Sequence, residues 1–191
     1  MKKYAILAMM MTFFFCGGPS KKKDNIVKSH ETPQQKGTYM IINVKDYGMI
    51  TIKMHAAKVP NNVENIVNLA NKGFYNGLTF HRIIPGFVIQ GGCPNGDGTG
   101  TPGYDLDDEI GSDLKHLKGT VAMANRGPNT NGCQFYICLA PLPQLDGGYT
   151  IIGQVIAGID VVDRIAAVKT GNMDRPLTPV IMEKVTILEN E

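Results

Sequence analysis

Two stretches hold the residues whose types and spacing could do chemistry. The first is Phe80-His81-Arg82-Ile83-Ile84-Pro85-Gly86-Phe87-Val88-Ile89-Gln90-Gly91-Gly92, an apolar run in which Arg82 and Gln90 are the only long polar side chains. The second, Met123-Ala124-Asn125-Arg126-Gly127-Pro128-Asn129-Thr130-Asn131-Gly132-Cys133-Gln134-Phe135-Tyr136-Ile137, is rich in amides and looks built to face it. An arginine in such a run is either tied into a structural ion pair or held over an apolar surface as a fixed donor.

These residues need elements to position them. The β-branched and aromatic residues of the first run read as two strand segments joined by a Pro-Gly turn. In the second, Gln134 and Tyr136 are two apart on a strand and share a face, while Phe135 points the other way. Upstream, 39–44 and 49–54 read as strands around the turn Lys45-Asp46-Tyr47-Gly48. Pro60 opens a helix whose Val63, Ile66, Val67 and Ala70 recur at helical spacing, and Gly73 stops it. Residues 151–156 read as a strand. A second helix from about Asp160 turns Val161, Val162, Ile165 and Ala166 inward. The closing strand, 180–188, alternates, with Val180, Met182, Lys184, Thr186 and Leu188 on one side. Two helices and about eight short strands predict a mainly β fold: a closed eight-stranded antiparallel barrel with two α-helices capping its ends.

Composition excludes several classes. The 191 residues suit one domain plus an extra segment. The net charge of +2 divides unevenly, +5 on the first 36 residues and −3 on 37–191, so the domain lacks the basic footprint of a nucleic-acid binder. Cys16, Cys93, Cys133 and Cys138 form no CxxC pair and match no zinc spacing, and the last two fall on opposite faces of a strand. They read as free thiols, buried in the bland reading. The glycine-rich loop at 94–103 lacks the Gly-Lys-Ser/Thr of a phosphate cradle. Asp105, Asp107, Asp108 and Glu109 lack EF-hand spacing and read as a solvated acidic loop. No metal and no cofactor are expected.

The head of the chain, 1–16, has two lysines and then an apolar stretch of about thirteen residues ending at Cys16. That is shorter than the roughly twenty residues of a membrane span and suits a signal peptide. With Cys16 before Gly17-Gly18, it resembles a bacterial lipoprotein signal, which makes Cys16 the expected lipidation site. Phe15 stands where that pattern wants a small residue. Residues 17–36 read as a polar tether and 37–191 as the folded domain. The expectation is an exported, cell-envelope protein, periplasmic or lipid-anchored, touching a membrane only through its N-terminus; nothing suggests an oligomer.

The first motif, then Gly98-Thr99-Gly100, then Met123-Ala124-Asn125-x-Gly127-Pro128-Asn129-Thr130-Asn131-Gly132-x-Gln134-Phe135, then Leu145-Asp146-Gly147, in unbroken order, resemble the cyclophilin family of peptidyl-prolyl isomerases. The resemblance spans roughly 37–189. It implies rotation about X–Pro bonds in proline-containing segments of client proteins. Arg82 would be the donor to the proline nitrogen and Gln90 would hold its guanidinium. Phe87, Val88, Tyr136 and Leu145 would grip the proline ring. Ala124, Asn125 and Gln134 would fix the peptide beyond the twisting bond, Asn125 through its backbone. Gly98 would line the groove where a side chain would obstruct the peptide. His81 would shape the groove by hydrogen bonding or simply be a core histidine, and Phe135 belongs to the site region only weakly. Two positions depart from many relatives: Gln144 stands for a tryptophan, and Tyr149 for a histidine that donates to the substrate carbonyl. Tyr149 can still donate, whereas cyclosporin-type inhibitors should bind weakly. A non-catalytic proline-peptide-binding module is the alternative.

Overall fold

In the computed structural model, residues 36–190 are described. The expected signal at 1–16 with Cys16, and the tether except its last residue, lie outside them. The elements run β1 (Gly37–Val44), β2 (Gly48–Met54), α1 (Pro60–Asn71), β3 (Phe80–Ile84), β4 (Val88–Gly91), β5 (Thr120–Met123), β6 (Phe135–Cys138), β7 (Ile151–Ala157), α2 (Ile159–Ala166) and β8 (Met182–Asn190). Single 3₁₀ turns occupy Pro143–Leu145 and Asn172–Asp174.

All eight strands pair antiparallel in one sheet of order β3-β4-β6-β5-β7-β2-β1-β8. The sheet curls until its two edge strands approach, but they do not pair along their length. A short seam joins them: a bridge between Thr79 and Ile181, Phe80 N–H to Val180 O at 2.9 Å, and Met182 N–H to Leu78 O at 2.8 Å. The barrel is therefore closed at this seam and open beyond it. β3 has only five residues and carries a bulge at His81.

Alternation sends one set of side chains inward. Ile83, Ile89, Ile137 and Val121 stand opposite one another across β3, β4, β6 and β5, all fully buried in the main core. Each such burial is worth about 1.5–3 kcal/mol. α1 lies against β8, and α2 against β2, β3 and β4. α1 buries Val63, Ile66, Leu69 and Ala70, with Val67 partly buried against the same core. α2 buries Val161, Val162 and Ile165. The alternation expected at 180–188 fails at one point. Val44 pairs with Met182 and Asn43 with Lys184, so Glu183 is an extra residue and the phase shifts. Val180, Met182 and then Val185 are the buried positions.

Cys93, Cys133 and Cys138 are free and buried, with Cys133 in the main core and Cys138 in a second cluster on the other face of the sheet. Burial raises the Cys133 thiol to about 11 and the Cys138 thiol to about 12. The acidic loop is tied down more firmly than its composition suggests. Glu109 Oε2 accepts from the Asn62 backbone and side chain at 2.8 Å each, and Asp105 pairs with Arg126 at 2.8 Å. Among the described residues no group of three or more His, Cys, Asp or Glu is placed to hold a metal ion, and no helix is long and apolar enough to cross a membrane.

Candidate active site

The site lies on the outer face of the half-barrel formed by β3, β4, β6 and β5. Two strand devices aim its residues. Pro85 and Gly86 close the β3–β4 hairpin, with Phe87 N–H bonded to Ile84 O at 3.0 Å and Gly86 at φ 74°, the turn geometry in which glycine follows proline. Within β3, Phe80 pairs with Gly91 but Arg82 pairs with Gln90, leaving His81 unpaired as the bulge residue. In an even strand Phe80 and Arg82 would share a face. The bulge breaks that phase, so Phe80 enters the core while Arg82 joins Gln90 outside.

The register then continues across the sheet: Arg82 opposite Gln90, Gln90 opposite Tyr136, Tyr136 opposite Ala122. On this face a second apolar cluster forms from Val88, Ala122, Tyr136, Cys138, Leu142 and Ile151, with Phe87, Ala124, Leu145 and Tyr149 packed on it. Its open centre is a cavity of about 150 Å³ lined by Arg82, Phe87, Val88, Gln90, Ala124, Asn125, Tyr136, Leu145 and Tyr149. All nine are residues singled out in the sequence. The cavity has an apolar floor with one guanidinium at its rim.

A chain of hydrogen bonds supports that guanidinium. Arg82 Nη1 donates to Gln90 Oε1 at 3.5 Å, Gln90 Nε2 to Gln134 Oε1 at 3.1 Å, and Gln134 Nε2 to Gly98 O and Gly100 O at 2.8 and 2.9 Å. Gln134 and Gly98 thus face an adjoining cavity of about 60 Å³, which shares Gln90, Ala124 and Asn125 with the first. Asn125 turns its side chain onto its own surroundings, Oδ1 accepting from Gly127 N–H at 3.4 Å and Nδ2 donating to Gly148 O at 3.5 Å. Its backbone is what remains for the groove.

Two expectations, those for Phe135 and His81, need correction. Phe135 is absent from the groove: it is fully buried in the barrel core, edge-to-face with Tyr75 and Phe80 at 5.8 and 6.2 Å. Gly98 does line the adjoining cavity, and its backbone at φ +90° separately favours glycine; an added Cβ would touch His81 Nε2 at 3.5 Å. His81 is no hydrogen-bonding partner. It is 6% exposed, its ring nitrogens meet no side chain of the groove, the Thr79 backbone lies beside them, and it borders a different cavity on the far side of Arg82. Burial, with Arg175 nearby, lowers its pKa below the usual 6.5.

Three residues escaped the sequence reading. His116, 1% exposed, stands behind the pocket. Asp146 Oδ1 accepts from its backbone N–H and from Nδ1, both at 2.9 Å, and Nε2 meets the Tyr136 hydroxyl at 2.9 Å. With the Nδ1 proton directed at a carboxylate, Nε2 of the neutral ring is the acceptor and the phenol donates to it. The two bonds from His116 hold the Asp146 carboxyl below its usual range, and burial pushes the Tyr136 phenol well above its own. Lys115-His116-Leu117 carries no signal of this role, although Asp146 sits within the quoted Leu145-Asp146-Gly147 motif. The third is Asp174, whose Oδ2 lies 3.4 Å from Arg82 Nε. The ion pair absent from the apolar run comes from 92 positions further along the chain.

Comparison with known proteins fits this geometry. The family model described as cyclophilin type peptidyl-prolyl cis-trans isomerase/CLD matches residues 39–187. The chain is 46% identical over 146 residues to peptidyl-prolyl cis-trans isomerase-like 1 of Emericella nidulans, covering 74% of this chain and 90% of that protein. It is also 46% identical over 145 residues to the peptidyl-prolyl cis-trans isomerase ppi1 of Schizosaccharomyces pombe, covering 74% and 94%. A crystal structure of a Cryptosporidium parvum cyclophilin type peptidyl-prolyl cis-trans isomerase, determined in the presence of the dipeptide Ala-Pro, superposes with a TM-score of 0.76 at 34% identity, covering 80% of this chain and 99% of that one. These relatives are eukaryotic, so the bacterial lipoprotein expectation finds no support in them. The motifs, the eight-stranded fold and these matches together place the chain in the family of cyclophilin-type peptidyl-prolyl cis-trans isomerases.

Proposed function

We infer that the 150 Å³ cavity takes the proline ring of an extended X–Pro segment and that Arg82 is the residue that accelerates its rotation. Rotation about the bond makes and breaks no covalent bond. It must lose amide resonance, against a barrier of about 18–20 kcal/mol. As the amide twists, the proline nitrogen becomes pyramidal and regains a lone pair that accepts a hydrogen bond. A fixed donor aimed at that nitrogen stabilises the twisted state more than either planar one. Phe87, Val88, Tyr136 and Leu145 hold the ring by apolar contact, Ala124, Gln134 and the Asn125 backbone hold the peptide beside it, and Tyr149 donates to a substrate carbonyl. His81 and Phe135 take no part in contacting the substrate.

The observation that carries this reading is the placement of a single guanidinium, braced by Gln90 directly opposite, at the rim of an apolar pocket. The test is an isomerisation assay on a short X–Pro peptide with the wild type and Arg82→Ala. A loss of about a hundred-fold or more in kcat/KM is expected, as for removal of one preorganised donor in other sites. Equal rates would overturn the assignment, and peptide binding without turnover in the wild type would favour a docking module.

For location, the basic start, the short apolar stretch and Cys16 support export with the domain outside the cytoplasm. Fatty-acid labelling lost in Cys16→Ser supports lipid anchoring; an unlabelled, N-terminally cleaved protein indicates simple secretion, and an uncleaved, unlabelled one retained with the cytoplasm refutes export.

A further inference from the structure

The groove edge of the Arg82 guanidinium is braced by Gln90, but its opposite edge has a partner of its own. Nε faces Asp174 Oδ2 at 3.4 Å, with the two side chains 40% and 46% exposed. Asp174 belongs to the segment 169–177 between α2 and β8. That segment is fastened at its base by a bridge between Thr170 and Pro176 and by Leu177 N–H to Lys169 O at 2.9 Å. Nearer the tip, Gly171 N–H bonds Arg175 O at 2.8 Å, and Arg175 Nη2 donates to Gly96 O at 2.9 Å, tying the segment to the glycine-rich loop.

At the tip, Met173 and Asp174 both take left-handed backbone conformations, at φ 58° and 57°. Non-glycine residues are uncommon in that region, Asp less so than Met, and persist where surrounding structure holds them. Here the enforced turn leaves Met173 79% exposed, with no core position as its reward, and sets the carboxylate of Asp174 against Arg82. The nearby Asp97 is otherwise engaged, accepting from Thr99 N–H at 2.9 Å and Thr99 Oγ1 at 2.7 Å. Arg82 also stands as a partition, with the proline pocket on one side and an open cavity of about 390 Å³, lined by Asp174 and Arg175, on the other. A long, part-exposed side chain between two open spaces has many rotamers available, and one 3.5 Å contact to Gln90 restrains it weakly.

We propose that Asp174 is a positioning residue for Arg82: it holds the Nε edge so that the remaining N–H groups present themselves to the groove. The inference rests on the reading of Arg82 as the donor. Because the donor acts on the twisted bond rather than on the planar substrate, Asp174 serves kcat and not KM.

The test uses the full-length chain in the X–Pro isomerisation assay. Asp174→Asn lowers kcat about two- to five-fold with KM unchanged, the size expected of a part-exposed ion pair. Asp174→Glu recovers most of the loss. Raising salt from about 0.05 to 1 M brings the wild type down towards the Asn variant, which itself stays flat. Arg175→Ala, which frees the segment from Gly96, reproduces the loss, and the double variant is no worse than the poorer single one. A wild-type kcat in Asp174→Asn at low salt, a change confined to KM, or a loss explained wholly by a smaller folded fraction overturns the proposal. Arg82→Ala separates the two readings. If it is inactive while Asp174→Asn is normal, only the positioning role falls; if both are normal, the donor reading falls as well.

Discussion

Arg82 and Gln90 face each other across the β3–β4 hairpin only because His81 is an extra residue in β3. Without the bulge, the pairing that brings Phe80 opposite Gly91 would send Arg82 to the core face. One unpaired residue thus converts a buried, unaffordable charge into a rim donor, a use of bulges beside active sites that follows from the period of two in a strand.

The first prediction concerns the relay behind that donor. Gln90→Ala removes the acceptor for Arg82 Nη1 and the donor to Gln134. The groove keeps its apolar floor, so KM should change little while kcat falls about three- to ten-fold, equivalent to ~0.7–1.4 kcal/mol of transition-state stabilisation. Steady-state kinetics on an X–Pro peptide decides it; a rise in KM at constant kcat would instead make Gln90 a substrate-binding group.

Much of this was legible because the local signals agreed with the fold. The Pro85-Gly86 turn, the shared face of Gln134 and Tyr136, and the apolar periodicity of both helices follow from residue types alone, and the linear motifs with the nearby Tyr149 carry the nine residues around the 150 Å³ cavity. What stayed hidden depends on chain crossings. Asp174 reaches Arg82 from a polar loop with no periodicity, and His116 reaches Asp146 and Tyr136 from a segment outside any strand. The bulges at His81 and Glu183 were hidden for a different reason. A bulge changes which residues pair without leaving a mark in composition, so the alternation that residue types suggest at 180–188 runs past the point where the strand breaks it.

The second prediction tests the support behind the pocket. Tyr136→Phe keeps the ring that lines the cavity but leaves buried His116 Nε2 without its donor. A loss of about 1–3 kcal/mol in denaturant unfolding is expected from one unsatisfied buried group. Because the ring surface is retained, kcat should stay close to wild type. Unchanged stability would mean that the Asp146–His116–Tyr136 chain holds nothing in place.

The third concerns inhibitors. Gln144, which stands where many relatives carry tryptophan, flanks Leu145 in the 3₁₀ turn at the pocket rim and is exposed. It offers no aromatic surface or indole N–H to a bulky cyclic peptide. Cyclosporin should therefore inhibit weakly, and Gln144→Trp should tighten it measurably in a titration of isomerase activity. Nanomolar inhibition of the wild type would remove this residue from the explanation.

The last prediction is a pH dependence of stability set by His81. Its ring is buried, its nitrogens meet no side-chain partner, and burial together with Arg175 outweighs the nearby Thr79 backbone and lowers its folded pKa below the unfolded value of about 6.5. The facing charges are mixed: Arg82 adds to the lowering, and Asp97 opposes it. A histidine held neutral in the fold takes up a proton in the unfolded chain first. Its stabilising contribution is therefore complete above about pH 6.5 and is lost as the pH falls through that value towards the lower folded pKa. Unfolding free energy should decline between about pH 7.5 and 5. His81→Phe, which fills the space with a ring that has no polar atom to satisfy, should flatten the part of that decline due to this residue and leave stability at pH 7.5 equal or higher. Chemical denaturation at a series of pH values measures both. An undiminished slope in the variant would place the titration elsewhere, and a large loss of stability at pH 7.5 would mean that the ring nitrogens of His81 are satisfied after all.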